Sequence, residues 1–245
     1  MKFDYKPLFD VGEGEPIILL HGLFGNLSNW GSVAYEFTST HRILIPRLPF
    51  YSHPVTKQRL DDLVDYIEEF IETHALNKIT LMGNSLGGHV ALLYTWRHPE
   101  KVNKLVLAGS SGLYENSFGG SFPRVKDYEY IRGKVQSTFY KPEVATKELV
   151  DEVYETVQSR VKSLSIIGLA RAAQRHNVTE ILGQIRTPTL LIWGLQDTIT
   201  PPEVALEFHD RLPVSEIIFL EHCGHVPMME HSQLFNQHVR RFLEQ

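Results

Sequence analysis

Ser85 lies at the centre of the pentapeptide Gly-Asn-Ser-Leu-Gly, residues 83–87. An apolar run precedes it and a helical pattern follows it, which is typical of a nucleophile elbow, a sharp strand-to-helix turn that exposes a serine hydroxyl at the top of a sheet. Gly83 and Gly87 have no Cβ and therefore tolerate the crowded backbone of such a turn. Since this pattern arises by chance in roughly one chain in ten of this length, the interpretation depends on partners for Ser85.

Asp197 is the candidate acid. A serine hydroxyl needs a general base to take its proton, and the base needs a third group to orient it. Asp197 follows a predicted strand that ends at Trp193. A turn aspartate or a helix N-cap is the alternative interpretation. Thr200 and Glu203 form a Thr-x-x-Glu capping box for the next helix, which leaves Asp197 available for catalysis.

His225 is the candidate general base. It follows the last predicted strand, in a tight loop bracketed by Gly224 and Pro227. The chain has 12 histidines, and His222 and His231 are the nearest rivals. The bracketing residues favour His225, because they shape a loop that can present one side chain to the end of the sheet.

Two backbone N–H groups are candidates for an oxyanion hole. Leu86 directly follows the nucleophile at a predicted helix N-terminus, where N–H groups point outward. The second donor is expected in the loop after the first buried strand, where Leu23 is preferred and Phe24 is the alternative. His21, in the same loop, is predicted to be structural and to transfer no proton.

Six apolar runs predict strands buried on both faces of a parallel sheet. They lie at 16–20, 42–46, 78–82, 104–109, 189–193 and 216–220. Helical patterns alternate with them, among them 60–74, a helix from Ser85 to near His98, and 232–243. The alternation predicts an α/β fold with a doubly wound, mostly parallel sheet. Residues 3–11 predict a short antiparallel hairpin at one edge.

Residues 113–183 break this alternation, because they contain no pattern of a buried strand. They predict a helical cap between the fourth and fifth buried strands, with helices at 146–164 and 165–175 and a loop at 118–123. The predicted domains are a core, 1–112 and 184–245, and this cap. An insertion here lies over the carboxyl ends of the strands, where open α/β sheets bind ligands. We expect a lid over the pocket; a subdomain that only adds stability is the alternative.

Four cap residues, Phe122, Phe139, Tyr140 and Ile167, are candidates for the pocket wall, although packing within the cap is the favoured interpretation of such a helical stripe. Phe24, Asn84 and Val226 of the core are further candidates.

Composition limits the possible functions. The chain has 245 residues, 42% hydrophobic and 22% charged, with a net charge of −5. This balance is typical of a globular protein and argues against nucleic-acid binding. Apolar runs are too short for a membrane span, residues 1–7 lack a signal-peptide core, and a cytoplasmic location is expected. Cys223 is the single cysteine, which excludes an intrachain disulfide and a cysteine-rich zinc site. The oligomeric state stays open.

Several short motifs occur together in this chain: His21-Gly22, the elbow at 83–88, Trp193-Gly194 with Asp197, and Gly224-His225. They resemble the α/β-hydrolase superfamily over essentially the whole chain, and the order Ser…Asp…His is similar to that family's. The elbow further resembles the serine-nucleophile branch that includes carboxylesterases and meta-cleavage product hydrolases, which cleave carbon–carbon bonds. The resemblance implies catalysis without a metal or organic cofactor. Haloalkane dehalogenases and epoxide hydrolases of this fold usually have an aspartate nucleophile, so Ser85 argues against both of these activities.

Two departures from the carbon–carbon hydrolases, together with one from the wider family, favour ester chemistry. Val226 stands where they usually have an aromatic residue, and Val153 stands near the position of their substrate-binding arginine, which Arg160, Arg171 or Arg175 could replace. Residues 47–53 depart from the family's glycine-containing pattern after the second buried strand. We expect hydrolysis of a small, largely apolar ester through an acyl-enzyme. Carbon–carbon bond hydrolysis and a non-catalytic ligand-binding receptor are the alternatives.

Overall fold

The computed structural model describes residues 5–25, 27–51, 59–116 and 124–245. Seven strands form one sheet in the order β1-β3-β2-β4-β5-β6-β7. All neighbouring strands are parallel except β1 and β3. The strands are β1 (Phe9–Val11), β2 (Pro16–Leu20), β3 (Arg42–Ile45), β4 (Ile79–Asn84), β5 (Val102–Ala108), β6 (Thr189–Gly194) and β7 (Ser215–Leu220). The predicted doubly wound α/β fold is confirmed.

Helices cover both faces of the sheet. They are α1 (Leu27–Phe37), α2 (Leu60–Thr73), α3 (Leu86–Arg97), α4 (Tyr128–Gln136), α5 (Lys147–Gln158), α6 (Arg160–Arg175), α7 (Thr179–Leu182), α8 (Pro202–Arg211), α9 (Pro227–Glu230) and α10 (Ser232–Leu243). No helix in the described ranges is both long and apolar enough to cross a bilayer.

Alternate residues of the central strands enter different cores, as the period of a strand requires. In β2, Ile18 and Leu20 pack with α2, α3 and α8 on one face, whereas Ile17 and Leu19 pack with α1 and α10 on the other. Every residue of β4 and β6 is buried. The strands that carry Ser85 and Asp197 at their ends are therefore held rigidly from both sides.

The edge of the sheet differs from the prediction. A single strand, β1, pairs antiparallel with β3, and Leu8 N–H donates a hydrogen bond to the Ile45 carbonyl at 2.8 Å. Within the described part of the predicted 3–11 hairpin, residues 5–8 form no strand. The predicted hairpin was wrong because the partner of β1 is β3, which is distant in sequence. Residues 3 and 4 lie outside the described ranges.

In the described part of the predicted insertion 113–183, four α-helices, α4 to α7, lie between β5 and β6. The single helix predicted at 146–164 was wrong, since α5 ends and α6 begins around Ser159. Ser159 is extended, and its hydroxyl caps α6 by accepting a hydrogen bond from Lys162 N–H. The apolar pattern concealed this break, because Val161 and Leu164 are exposed. The predicted loop at 118–123 lies outside the described residues.

Candidate active site

Ser85 occupies a strained turn between β4 and α3. Its φ of 54° and ψ of −122° lie in a region that costs a residue with a side chain roughly 1–3 kcal/mol. Several backbone hydrogen bonds hold it there: Ser85 N–H donates to Ala108 O at 3.2 Å, and Ser85 O accepts from Gly88, His89 and Ser111. This conformation is the geometry that the Gly-x-Ser-x-Gly spacing predicts.

Gly87 shows why the elbow needs glycine. A Cβ at this position would overlap the backbone carbonyl oxygen of Leu20 at the end of β2. Helix α3 can therefore approach the sheet closely enough for its N-terminus to lie beside Ser85 only because Gly87 has no side chain.

His225 and Asp197 form a buried hydrogen-bonded pair. His225 Nδ1 lies 2.8 Å from Asp197 Oδ2, and the two residues are 6% and 3% exposed. Asp197 Oδ1 also accepts hydrogen bonds from the backbone N–H groups of Ile199 and Thr200 at 2.8 and 3.0 Å. Because an ionised carboxylate only accepts hydrogen bonds, the neutral imidazole carries its proton on Nδ1 and leaves Nε2 as the basic atom.

Thr200 has a different role from the predicted one. Helix α8 has Pro201 as its N-cap, without a side-chain cap, and the Thr200 hydroxyl instead donates to Asp197 Oδ2 at 2.8 Å. The predicted capping box with Glu203 was therefore wrong. Asp197 is both a turn aspartate and the partner of His225, so the two interpretations of this residue hold together.

Gly109, directly after β5, borders the same pair. Its φ is +51°, and a Cβ there would lie 3.1 Å from His225 Nδ1 and 3.2 Å from Asp197 Oδ2. Beside it, Asn84 Nδ2 donates to Ala108 O at 2.8 Å and to His225 O at 3.1 Å. The residue before Ser85 thus fixes the backbone that carries His225.

A carboxylate that the sequence did not single out, Glu230 in α9, anchors the loop of His225. Its Oε1 accepts from Gly224 N–H at 2.6 Å, and its Oε2 accepts from Tyr140 and Lys141 N–H at 2.7 and 3.2 Å. His225 N–H also donates to Thr138 O at 2.9 Å. The loop of His225 is therefore bonded to the insertion at residues 138–141.

The rival histidines lie elsewhere. His231 Nε2 bonds to the backbone oxygen of His222 at 2.9 Å, and neither residue lines the cavity that contains Ser85 and His225. Among the described residues, no hydrogen bond links the Ser85 hydroxyl to His225. Such bonds in unliganded sites often form only when substrate binds.

The two predicted oxyanion donors belong to two different elements that border Ser85. Leu86 is the first residue of α3, and Leu23 lies in the loop after β2, where Gly22 faces Ser85 closely enough that a Cβ on it would be 3.6 Å from Oγ. His21 is buried and bonds to Gly22 O through Nδ1 at 2.9 Å. Burial lowers the pKa of His21, so a neutral ring supports this loop.

A cavity of about 320 Å³ lies between Ser85, His225 and the insertion. Five predicted wall residues line it: Phe24, Asn84, Phe139, Ile167 and Val226. Tyr140 does not, because its ring is exposed and packs against His222 at a centroid distance of 5.2 Å. Phe122 lies outside the described residues.

The cavity wall combines apolar side chains with a few ionisable ones. Val153 and Arg171 line it, whereas Arg160 and Arg175 do not. Glu115 and Lys134 also line it, although no pattern in the sequence indicates either residue. Burial raises the pKa of Glu115 to about 7, although a protonated His225 would act in the opposite direction. In the described parts of the chain, no group of three or more His, Cys, Asp or Glu side chains could bind a metal ion.

Comparisons with known proteins give a consistent family. The family model described as the alpha/beta hydrolase family matches residues 17–238. A 2-hydroxy-6-oxononadienedioate/2-hydroxy-6-oxononatrienedioate hydrolase from Pseudomonas sp. is 27% identical, covering 96% of this chain and 90% of its own. Lipase 1 of Psychrobacter immobilis is 29% identical over 89% of this chain and 73% of its own. A crystal structure of an alpha/beta hydrolase enzyme from the metagenome of lagoon sediments at Mar Chica, Morocco, is 39% identical, with a TM-score of 0.78 and coverage of 96% and 93%.

Proposed function

Because the chain belongs to the alpha/beta hydrolase family, we propose that it is a serine hydrolase that cleaves small, largely apolar carboxylic esters through an acyl-enzyme. The observation that carries the proposal is the grouping of Ser85, His225 and Asp197 at one end of the sheet. The strained serine lines the same cavity as a histidine whose Nδ1 is held by a buried aspartate.

The geometry supports a two-step reaction. Ser85 Oγ attacks the ester carbonyl carbon while His225 Nε2 takes its proton, and Asp197 stabilises the imidazolium. The N–H groups of Leu23 and Leu86 stabilise the negative charge on the carbonyl oxygen. His225 then gives the proton to the leaving alcohol, and a water molecule, activated by the same histidine, hydrolyses the acyl-enzyme.

The insertion 113–183 acts as the lid of this site. Val135, Phe139, Leu149, Val153 and Ile167 contribute an apolar wall opposite the catalytic residues. Such a wall suits an alkyl or aryl acyl group and excludes water from the developing charge. The wall therefore favours an ester with an apolar acyl part.

A carbon–carbon bond hydrolase is the second candidate. Arg171 lines the cavity and could bind a substrate carboxylate, and relatives such as the Pseudomonas sp. hydrolase carry names of that class. Against it, the cavity wall has Val226 where that class usually has an aromatic residue, and Val153 near the position of its substrate-binding arginine. Turnover of a dienoic diketone, with p-nitrophenyl esters left intact, would favour this candidate.

Ser85→Ala tests the mechanism directly. We expect kcat for a p-nitrophenyl ester to fall by about 10⁶, because the nucleophile is lost, and labelling by a fluorophosphonate to disappear. Ser39→Ala is the matched control, since Ser39 is exposed in the turn after α1 and its loss should leave both readouts unchanged. Near-normal ester turnover by Ser85→Ala would refute the mechanism. Folded wild-type protein without labelling or turnover would favour a ligand-binding receptor.

A further inference from the structure

We propose that Glu115 determines the specificity of this cavity by binding a hydroxyl group on the leaving alcohol, so that the preferred substrates are partial esters of polyhydric alcohols. This inference rests on the proposed ester hydrolysis and adds the chemical class of the alcohol. It concerns a residue that the sequence did not indicate and that the catalytic mechanism does not use.

Glu115 is a carboxyl group in the cavity without a protein partner among the described residues. It lines the same cavity as Ser85 and His225 and is half-buried. No salt bridge or hydrogen bond joins its side chain to another described residue, even though Lys134 and Arg171 line the same wall. A carboxyl group removed from water is costly unless it is hydrogen-bonded, so its oxygens are suited to a polar group of a ligand.

The backbone on both sides of Glu115 is anchored. Before it, Gly112 O accepts a hydrogen bond from Val178 N–H at 2.8 Å, and Leu113 O accepts one from Asn177 Nδ2 at 3.1 Å. After it, Asn116 N–H donates to Ile199 O at 2.7 Å, and Asn116 Nδ2 donates to Thr198 O at 2.9 Å. Glu115 thus lies in an anchored segment of backbone, so little backbone ordering is needed when a ligand binds to it.

The position of Glu115 favours the alcohol part of the ester. Its anchors at Thr198 and Ile199 belong to the loop that carries Asp197, and its carboxyl group lies within electrostatic reach of His225. His225 delivers a proton to the leaving oxygen, so a group on its side of the cavity faces the alcohol. The apolar side chains of α5 and α6 remain available to the acyl group.

A hydroxyl group is the ligand that suits this carboxyl in either ionisation state. With a pKa raised to about 7 by burial, Glu115 is present near neutral pH both as the acid and as the carboxylate. A hydroxyl can donate to the carboxylate and accept from the acid. A substrate ammonium would match only the ionised form, and a substrate carboxylate would be repelled by it.

A matched pair of esters tests the proposal. Propyl butyrate and 2,3-dihydroxypropyl butyrate share the acyl group and the carbon skeleton of the alcohol, and differ in two hydroxyls. We expect the wild-type enzyme to have a higher kcat/KM for the dihydroxypropyl ester. Glu115→Leu should remove this preference by raising KM for that ester by about tenfold or more, as expected for a lost hydrogen bond to an ionisable group. Its kinetics with propyl butyrate should change little.

Two further variants separate binding from structure. Glu115→Gln keeps the size and hydrogen-bonding capacity of the side chain, so it should retain part of the preference. Glu143→Gln is the control, because Glu143 is an exposed glutamate of the insertion outside the cavity wall. Equal losses with both esters in Glu115→Leu would overturn the proposal and indicate a structural role.

The outcomes distinguish a failure of the proposal for Glu115 from a failure of the proposed ester hydrolysis. If the wild-type enzyme hydrolyses propyl butyrate without preferring the dihydroxypropyl ester, the proposal for Glu115 is overturned and the ester hydrolase stands. If it hydrolyses neither ester and Ser85 is not labelled by a fluorophosphonate, the proposed function itself is overturned, and the proposal for Glu115 with it.

Discussion

The loops after β6 and β7 and the helical insertion both contribute to the wall of the cavity, but they are built differently. In the loops, Asp197 and His225 have hydrogen-bond partners on each side, and Gly109 leaves no space beside them. In the insertion, the cavity is lined mainly by apolar side chains and by a few polar ones, such as Glu115, that have no protein partner in the described structure. Backbone contacts therefore fix the position of the candidate catalytic groups, whereas the fit to a substrate depends on the side chains of the insertion.

Gly109→Ala should produce the largest effect in this comparison. The new Cβ would lie against His225 Nδ1 and Asp197 Oδ2, in a backbone conformation with φ of +51°. A displacement of His225 and Asp197 by up to about 1 Å is expected to lower kcat by about 10²-fold. Steady-state kinetics on a p-nitrophenyl ester measure this effect.

Gly133→Ala is the matched control from the insertion. Gly133 lies in α4, and a Cβ there meets no atom within 4 Å. Alanine should stabilise the helix by about 0.5–1 kcal/mol and leave kcat unchanged. Equal kinetics for the two alanine variants would contradict the idea that backbone crowding sets the position of the pair.

Glu230→Gln should produce an intermediate effect, because Glu230 links the two regions. An amide has one oxygen, so it cannot accept from both Gly224 N–H and Tyr140 N–H, as the two carboxylate oxygens do. We expect kcat to fall by about tenfold, and the free energy of unfolding by about 1–3 kcal/mol for the unpaired N–H. Glu221→Gln, at an exposed position of the same loop, is the control. An unchanged kcat with reduced stability would assign Glu230 a purely structural role.

Val153→Ala should produce the smallest effect on the chemistry. Val153 is 5% exposed and lines the cavity from α5. Loss of one methyl contact with the acyl chain is expected to raise KM for short acyl chains by about fourfold, from roughly 0.8 kcal/mol per buried carbon, while kcat changes little. A panel of p-nitrophenyl esters of increasing chain length measures this change against Val161→Ala, at an exposed position of α6. A large fall in kcat would place Val153 among the groups that position the reacting atoms.

The sequence predicted the sheet and the arrangement of candidate reacting residues for a physical reason. Strands buried on both faces are nearly continuous apolar runs, and residues that follow parallel strands meet at one edge of the sheet. Ser85, Asp197 and His225 each follow such a run, so the fold brings Asp197 and His225 into contact and places Ser85 in the same cavity. Their catalytic roles stay predictions.

Contacts made by single side chains across large sequence separations could not be predicted. Thr200 fits a capping box in sequence, yet its hydroxyl donates to the buried carboxylate of Asp197 and Pro201 is the N-cap of α8. Glu230 bonds to backbone groups about 90 residues earlier, and nothing in its local pattern marks it. Ser159 interrupts an apolar stripe that continues in sequence without being buried, so periodicity alone concealed the break.

Asn84 gives the site a property of its own. One amide group holds both the carbonyl at the end of β5 and the carbonyl of His225, and its backbone continues directly into Ser85. The spacing between Ser85 and His225 is thereby set by the centre of the sheet and not by the loops around it. Heating should consequently leave the spacing intact until β4 and β5 separate, so that thermal inactivation and cooperative melting of the sheet become a single event.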